Sequence, residues 1–293
     1  MPPVTDGLTR PAPGQPVTAS VTCGGLTFVG ASESAHTTFV FCRQLDLIFD
    51  IGSVVDAMLP IDTVLISHTH QDHLLGLTRY ICLRRLQGMK PPRVLLPEAS
   101  VEPVRRLLAV WQELEGGADR IPPDVALEPV EAGQEVRLSG NLVARAFPVA
   151  HVLPSLGYTV ITRIHKLRRE FYGRSGQELA RLREEGVAIT DPHDTPLVTF
   201  IGDTLPETLE RTPDIGTSPV VILECTFLTP EHADLATPRG HLHIRDIIER
   251  IELFGNAEII LTHFSRRYRN DKVRELVQQA LPPDLSPRFH VLA

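Results

Sequence analysis

The 293-residue chain is poor in aromatic side chains (5%), has one tryptophan and four cysteines, and carries no net positive charge: its formal balance is -7. It also lacks any apolar run near the roughly 20 residues that a helical bilayer crossing needs. With a mean hydropathy of -0.01, that absence excludes an integral membrane protein and leaves no membrane among its expected partners. Cys23, Cys42, Cys82 and Cys225 lie far apart with no CxxC pair. A disulfide framework is therefore not expected, and buried free thiols are. The opening MPPVTDGLTRPAPGQPVTAS has neither a basic start nor an apolar stretch, so it does not read as a secretory signal, and the expected compartment is the cytoplasm. The acidic balance argues at first against a nucleic-acid partner. It hides three segments, Arg79–Arg93, Arg163–Arg174 and Arg266–Arg274, each with five basic and at most one acidic residue. A fold that gathers two of them would set a basic face on an acidic body.

Residues 1–20 read as a disordered Pro-rich tail and 21–293 as a single domain, since 42% apolar residues are enough for one large core. LDLIFDIG (45–52), DTVLISH (62–68), RVLLP (93–97), LVTFIGD (197–203), PVVILECTF (219–227) and AEIILTHF (257–264) have the length and β-branched content of buried strands. Between them lie helical patterns: DHLLGLTRYICLRRLQ from Asp72, SVEPVRRLLAVWQELEG with Ser100 as N-cap and Gly116 as stop, a segment near 176–185, HIRDIIERIELFG from His243, and NDKVRELVQQAL from Asn270. Residues 125–164 have β texture. Strands alternating with helices make the chain α/β.

Histidine carries the chemistry. His68-Thr69-His70-Gln71-Asp72-His73 follows a buried strand, whose two-residue period sends His68 and His70 to one side while Asp72 and His73 fall in the turn into a helix. Imidazoles with a carboxylate among them suit zinc in an open, catalytic coordination sphere. One strand end cannot hold two ions, and His151, Asp203 and His263 each stand where another apolar run stops. Strand ends are where α/β sheets build their sites. His36, His165, His193, His232 and His290 lie in expected loops or beside charges and read as non-ligands.

These motifs give the chain its resemblance. His68–His73 matches the HxHxDH signature of the metallo-β-lactamase fold. FDIG (49–52), ISHTHQDHLLGL (66–77), HVLPSLGY (151–158), FIGDT (200–204), ECTF (224–227), RGHLHI (239–244) and LTHFSRRY (261–268) together resemble ribonuclease Z, the tRNA 3′-processing endonuclease. KLRREFYGRSGQELARLREEGVAIT is similar to the short plant form. The resemblance implies a four-layer αβ/βα sandwich and two Zn2+ per chain, with Mn2+ or Fe2+ as alternatives. It assigns His68, His70 and His151 to one ion, Asp72, His73 and His263 to the other, and Asp203 as the bridge. It makes Asp72, Glu224 and His241 catalytic, with His241 as proton donor at the start of a helix. It implies a homodimer acting on precursor tRNA, with residues 163–186 in the position of a substrate-binding arm and Lys166, Arg168, Arg169, Arg266 and Arg267 as candidate substrate contacts. A small-molecule phosphodiesterase or lactonase on the same fold is the alternative that the acidic net charge favours.

Overall fold

The structure is a computed structural model that describes residues 16–117 and 125–293. Its first sheet holds β1 (Ala19–Cys23), β2 (Leu26–Glu33), β3 (Thr37–Cys42), β4 (Leu47–Phe49), β5 (Thr63–Leu65), β6 (Arg93–Pro97) and β7 (Ala126–Val130), in that order. The second holds β8 (Glu135–Arg137), β9 (Leu142–Pro148), β10 (Leu156–Leu167), β11 (Thr190–Ile201), β12 (Val220–Glu224), β13 (Glu258–Thr262) and β14 (Phe289–Val291), again in sequence order across the sheet. Each sheet begins antiparallel and ends parallel, with the change after β4 in one and after β11 in the other. The helices are α1 (Gln71–Leu74), α2 (Leu77–Leu86), α3 (Glu98–Leu114), α4 (Gly176–Glu184), α5 (Glu207–Arg211), α6 (Ala233–Ala236), α7 (Ile244–Ile248) and α8 (Asn270–Ala280).

The apolar runs divide their side chains between two faces, as strands buried on both sides must. Phe28, Val40, Phe49, Leu65, Tyr158, Phe200 and Ile222 fill the space between the sheets. Ile48, Val64 and Val94 face the other way, onto Tyr80, Val104 and Leu108 of α2 and α3. Val221, Leu223 and Leu261 likewise pack on Ile244, Val273 and Val277 of α7 and α8. Helix, sheet, sheet, helix is the four-layer αβ/βα sandwich of the metallo-β-lactamase fold.

Several local expectations change. β1 takes in Ala19 and Ser20, which the composition assigns to the tail; residues 1–15 lie outside the described residues. Ser100 is buried inside the first turn of α3 rather than capping it, and Pro97 precedes the helix. The pattern from His243 to Gly255 forms the short α7 and then a separate turn of 3-10 helix over Ile251–Phe254. Arg250 explains the break. Its backbone N–H bonds the Ile247 carbonyl at 3.1 Å while its guanidinium bonds the Asp246 carbonyl at 3.3 Å, so the helical register tightens there. His193 lies in β11, not in a loop. Pro192 and Pro196 are tolerated because only Thr199–Ile201 of β11 pairs with β12, leaving the outer strand an open edge.

Candidate metal centre

The parallel strands deliver the site. β5 ends at Leu65 and releases His68 and His70; α1 follows at once with Asp72 and His73. β11 leads to Asp203, β12 ends on Glu224, and β13 gives way to His263, while His151 comes from the loop between β9 and β10. All seven of the residues read as ligands converge. Donor atoms of His68, His70, His151 and Asp203 lie within 4.8 Å of one another, as do those of Asp72, His73 and His263. Asp203 stands between the two groups. Its Oδ2 is 3.6 Å from His68 Nε2 and 4.0 Å from His151 Nε2, and its Oδ1 is 3.2 Å from both His73 Nε2 and His263 Nε2. Asp72 Oδ2 is 3.2 Å from His263 Nε2 and also accepts the Ala35 backbone N–H at 2.7 Å.

Partners behind the imidazoles decide which nitrogen faces inward. Asp50, a residue with no sequence-level role beyond its place in FDIG, accepts the Ser67 backbone N–H at 2.7 Å and the Ser67 hydroxyl at 2.8 Å, and meets His73 Nδ1 at 2.7 Å. A carboxylate only accepts, so the Ser67 proton goes to Asp50 and the Ser67 oxygen must accept from His68 Nδ1, 3.0 Å away. The other side repeats this logic. The Thr226 hydroxyl donates to Glu224 Oε2 at 2.7 Å and therefore accepts from His263 Nδ1 at 2.9 Å. His151 Nδ1 donates to the Gly240 carbonyl at 3.1 Å. Four rings thus turn the Nε2 lone pair toward the carboxylates of Asp72 and Asp203, an arrangement that a cation stabilises.

That donor set fits a metal. His73 Nε2 and Asp203 Oδ1 are both buried with no hydrogen-bond partner among the described residues, a costly condition without an ion. Burial pushes the His68, His70 and His151 pKa values down, keeping the rings neutral as ligands must be. Burial pulls Asp203 upward, yet positive charge on the facing His263 and His73 rings holds it well below the usual carboxylate range. Burial's downward pull on His73 is outweighed by Asp203 and Asp50, which raise that ring well above its ordinary value. A cation placed there takes over the charge that the His73–Asp203 pair otherwise carries as a proton. Close backbone packing fixes the loops. A Cβ on Gly52 would meet the Asp72 carbonyl at 1.8 Å, and Gly240, at φ +76°, would set one 3.0 Å from the His151 ring. Asp50 and His263 are themselves non-glycine residues at φ 55° and 62°, the strain that such sites concentrate.

Beside the cluster, Glu224 is fully buried and accepts the backbone N–H groups of Thr204, Leu242 and Thr226 at 3.2, 2.9 and 2.9 Å. Its Oε1 meets His241 Nδ1 at 3.2 Å, and Asp203 Oδ2 is 3.9 Å from the same nitrogen. Burial lowers the His241 pKa, but the Glu224 carboxylate more than offsets it and raises the ring to about 9. His241 is not at a helix start, contrary to the sequence expectation. His243 is: its Nδ1 accepts the Arg245 N–H at 3.1 Å and Asp246 accepts the His243 N–H in return, so His243 caps α7 and His241 lies in the preceding loop, held by Glu224.

The candidate substrate residues fall in two places, on an excursion from the second sheet and on the loop that follows His263. β10 and β11 run beyond the sheet, paired as far as Leu167 and Thr190, and the excursion between them carries α4, which buries none of its residues. Lys166 and Arg169 are exposed there, while Arg168 pairs with Asp191 at 2.8 Å and Arg163 with Glu135 and Asp194, each at 2.7 Å. Arg266 and Arg267 are exposed on the loop after His263, with Arg266 3.8 Å from Glu33. The first basic segment is not a free face: Arg84 is buried, bonding the Leu59 and Ile61 carbonyls at 2.5 and 2.7 Å, and Arg93 is paired with Glu128.

Comparison with known proteins agrees with this geometry. Residues 39–264 match the family described as beta-lactamase superfamily domain. Fold and cluster together define a metal-binding hydrolase of the metallo-β-lactamase class. Within it, the chain is 35% identical to tRNase Z TRZ1 of Arabidopsis thaliana over 92% of its own length and 95% of that protein's. It is 33% identical to the chloroplastic tRNase Z TRZ2 of the same plant, over 85% and 70%. The chain belongs to the ribonuclease Z (tRNase Z) family. The crystal structure of the short form of human tRNase Z shares the fold, with a TM-score of 0.51 at 20% identity, covering 89% of this chain and 91% of that one.

Proposed function

We propose that this chain is an endoribonuclease that hydrolyses one phosphodiester at the 3′ end of precursor tRNA, leaving a 3′-hydroxyl on the tRNA, with two zinc ions held by His68, His70, His151, Asp72, His73 and His263 and bridged by Asp203. The observation that carries it is Asp203, whose two carboxylate oxygens each face a separate half of the imidazole cluster. When bound, such ions polarise the scissile phosphodiester and lower the pKa of the attacking water toward about 7. Asp72 and Asp203 orient that half of the reaction. His241 stands at the rim with its Nδ1 on Glu224, so its other nitrogen is the one available to give a proton to the departing ribose oxygen. Glu224, anchored by three backbone N–H groups, holds the ring in place.

Recognition falls to the exposed cations. Lys166 and Arg169 on the excursion and Arg266 and Arg267 beside the cluster supply phosphate contacts, with Arg168 joining them once released from Asp191. In this reading the protein is a homodimer in which the excursion over 163–186 of one subunit grips tRNA bound at the other. Four free thiols, three of them buried, favour a reducing compartment such as the cytoplasm. The test is a labelled precursor tRNA with mapped product ends, run beside bis-p-nitrophenyl phosphate. Cleavage of the tRNA at one site with a 3′-hydroxyl supports the reading. Turnover of the small diester with tRNA left intact would replace it with the small-molecule hydrolase.

A further inference from the structure

A second group of ligand-type side chains lies away from this centre. Cys23 ends β1, the edge strand of the first sheet; Glu258 opens β13 and His290 sits in β14, the edge strand of the second. Their donor atoms, one sulfur, one carboxylate oxygen and one ring nitrogen, lie within 4.8 Å of one another. Glu258 is the first residue of β13 and His263 follows its last, so the group is about 16 Å along the strand from the catalytic cluster. We propose that Cys23, Glu258 and His290 form a separate site for one zinc-class divalent ion, which ties the open edges of the two sheets together.

The residue types and their setting carry this. A thiol, an imidazole and a carboxylate are the donors that select zinc or cobalt over magnesium or calcium, and three protein ligands leave a fourth position for water. The Cys23 side chain is only 5% exposed, so it is already desolvated, and Glu258 is already positioned. Glu258 Oε1 accepts the Gly24 N–H at 3.3 Å, across the gap between the sheets, and Oε2 meets His290 Nε2 at 2.8 Å. A cleft of about 200 Å³, lined by Thr22, Arg274 and Val291, opens beside His290, the one of the three ligands that borders it. Burial, aided by Glu258, raises the Cys23 thiol to about 12, so binding must displace the thiol proton: Cys–SH and the ion give the thiolate complex and one H+ to solvent. The ion would join residue 23 to residues 258 and 290, contacts between opposite ends of the chain that cost the most loop entropy to form.

Cobalt distinguishes the two sites, because the catalytic cluster contains no sulfur donor. Titrating the full-length protein with Co2+ should give a near-ultraviolet thiolate-to-cobalt band that accounts for about one ion per chain beyond the two of the catalytic cluster and that Zn2+ removes. Cys23→Ser and His290→Gln should abolish the band, while His263→Ala, which alters only the catalytic cluster, should leave it. No band from the wild-type protein once Co2+ has filled the catalytic cluster and stands in tenfold excess overturns the proposal, whether or not the variants fold. So does a band that survives Cys23→Ser.

Discussion

The catalytic cluster and the excursion between β10 and β11 treat charge in opposite ways. In the cluster the donors aim at one another, and four of the imidazoles are fixed from behind by partners from different elements: Asp50 after β4, Ser67 after β5, Thr226 after β12, and the Gly240 carbonyl. In the excursion the charges are at the surface and pair locally, Arg168 with Asp191 and Arg163 with Asp194 across the two strands. A buried charge left without its partner costs several kcal/mol, whereas an exposed ion pair is worth about 0–1. Changes in the first region should therefore strike metal and chemistry together, and changes in the second should alter only what is bound.

The strongest way to test that division is Asp203→Ala, which removes the one side chain that faces both halves of the cluster. Turnover of tRNA and of bis-p-nitrophenyl phosphate should both fall by more than about a thousandfold. Elemental analysis should show fewer than two ions per chain. Retention of both ions would sink the bridging assignment. Next in size is His241→Ala, expected to lower tRNA turnover about a hundredfold with metal content unchanged, the usual scale for a lost general acid. His243→Ala separates neighbour from neighbour. Because His243 caps α7, its loss should cost about 1 kcal/mol of stability, read from thermal unfolding, and little turnover. A catalytically dead His243 variant would reverse the two roles.

A smaller effect is expected behind the cluster. Asp50→Ala removes the partner of His73 Nδ1 and of Ser67 but no ligand. Metal affinity should drop by about 10- to 100-fold, measured by competition with a chelator. Saturating zinc should restore most of the turnover, and failure to restore it would place Asp50 in the chemistry itself.

How much of this could be read in the sequence follows from the same contrast. Polar residues abruptly ending buried apolar runs mark His68, His151, Asp203 and His263, because a strand of that texture has no reason to stop on such a residue unless a site lies there; Glu224 is marked by the family resemblance alone. Asp50 ends LDLIFD in the same manner and could have been found by the same rule. Ser67 and Thr226 could not, since a hydroxyl next to a ligand looks like any other strand residue until its proton is traced. Local propensity failed where tertiary contacts override it. The amphipathic pattern over 243–255 did not reveal the break that Arg250 makes, and two prolines disguised the free edge of β11. Charge counting also misled. The five basic residues of 79–93 include Arg84, a buried structural group bonded to backbone carbonyls.

The smallest expected effect is also the one that most directly tests the surface half of the comparison. Among the described residues Lys166 and Arg169 make no ion pair, whereas Arg168 is held by Asp191, so the first two are among the cations of the excursion already free to meet phosphate. Reversing both to Glu should weaken tRNA binding about tenfold at moderate salt. Each lost phosphate contact removes about 0.7–0.9 from the magnitude of the slope of log affinity against log salt, so losing two should reduce it by about 1.4–1.8. Neither residue touches the cluster, so hydrolysis of bis-p-nitrophenyl phosphate and the metal content should not move. Arg168→Ala serves as the internal control: it also frees Asp191, leaving an uncompensated carboxylate on the same ribbon, and should weaken binding by more than the loss of one contact. Equal losses on tRNA and on the small diester would mean that the excursion supports the active site, and the separation between a buried chemical centre and an independent binding surface would fail.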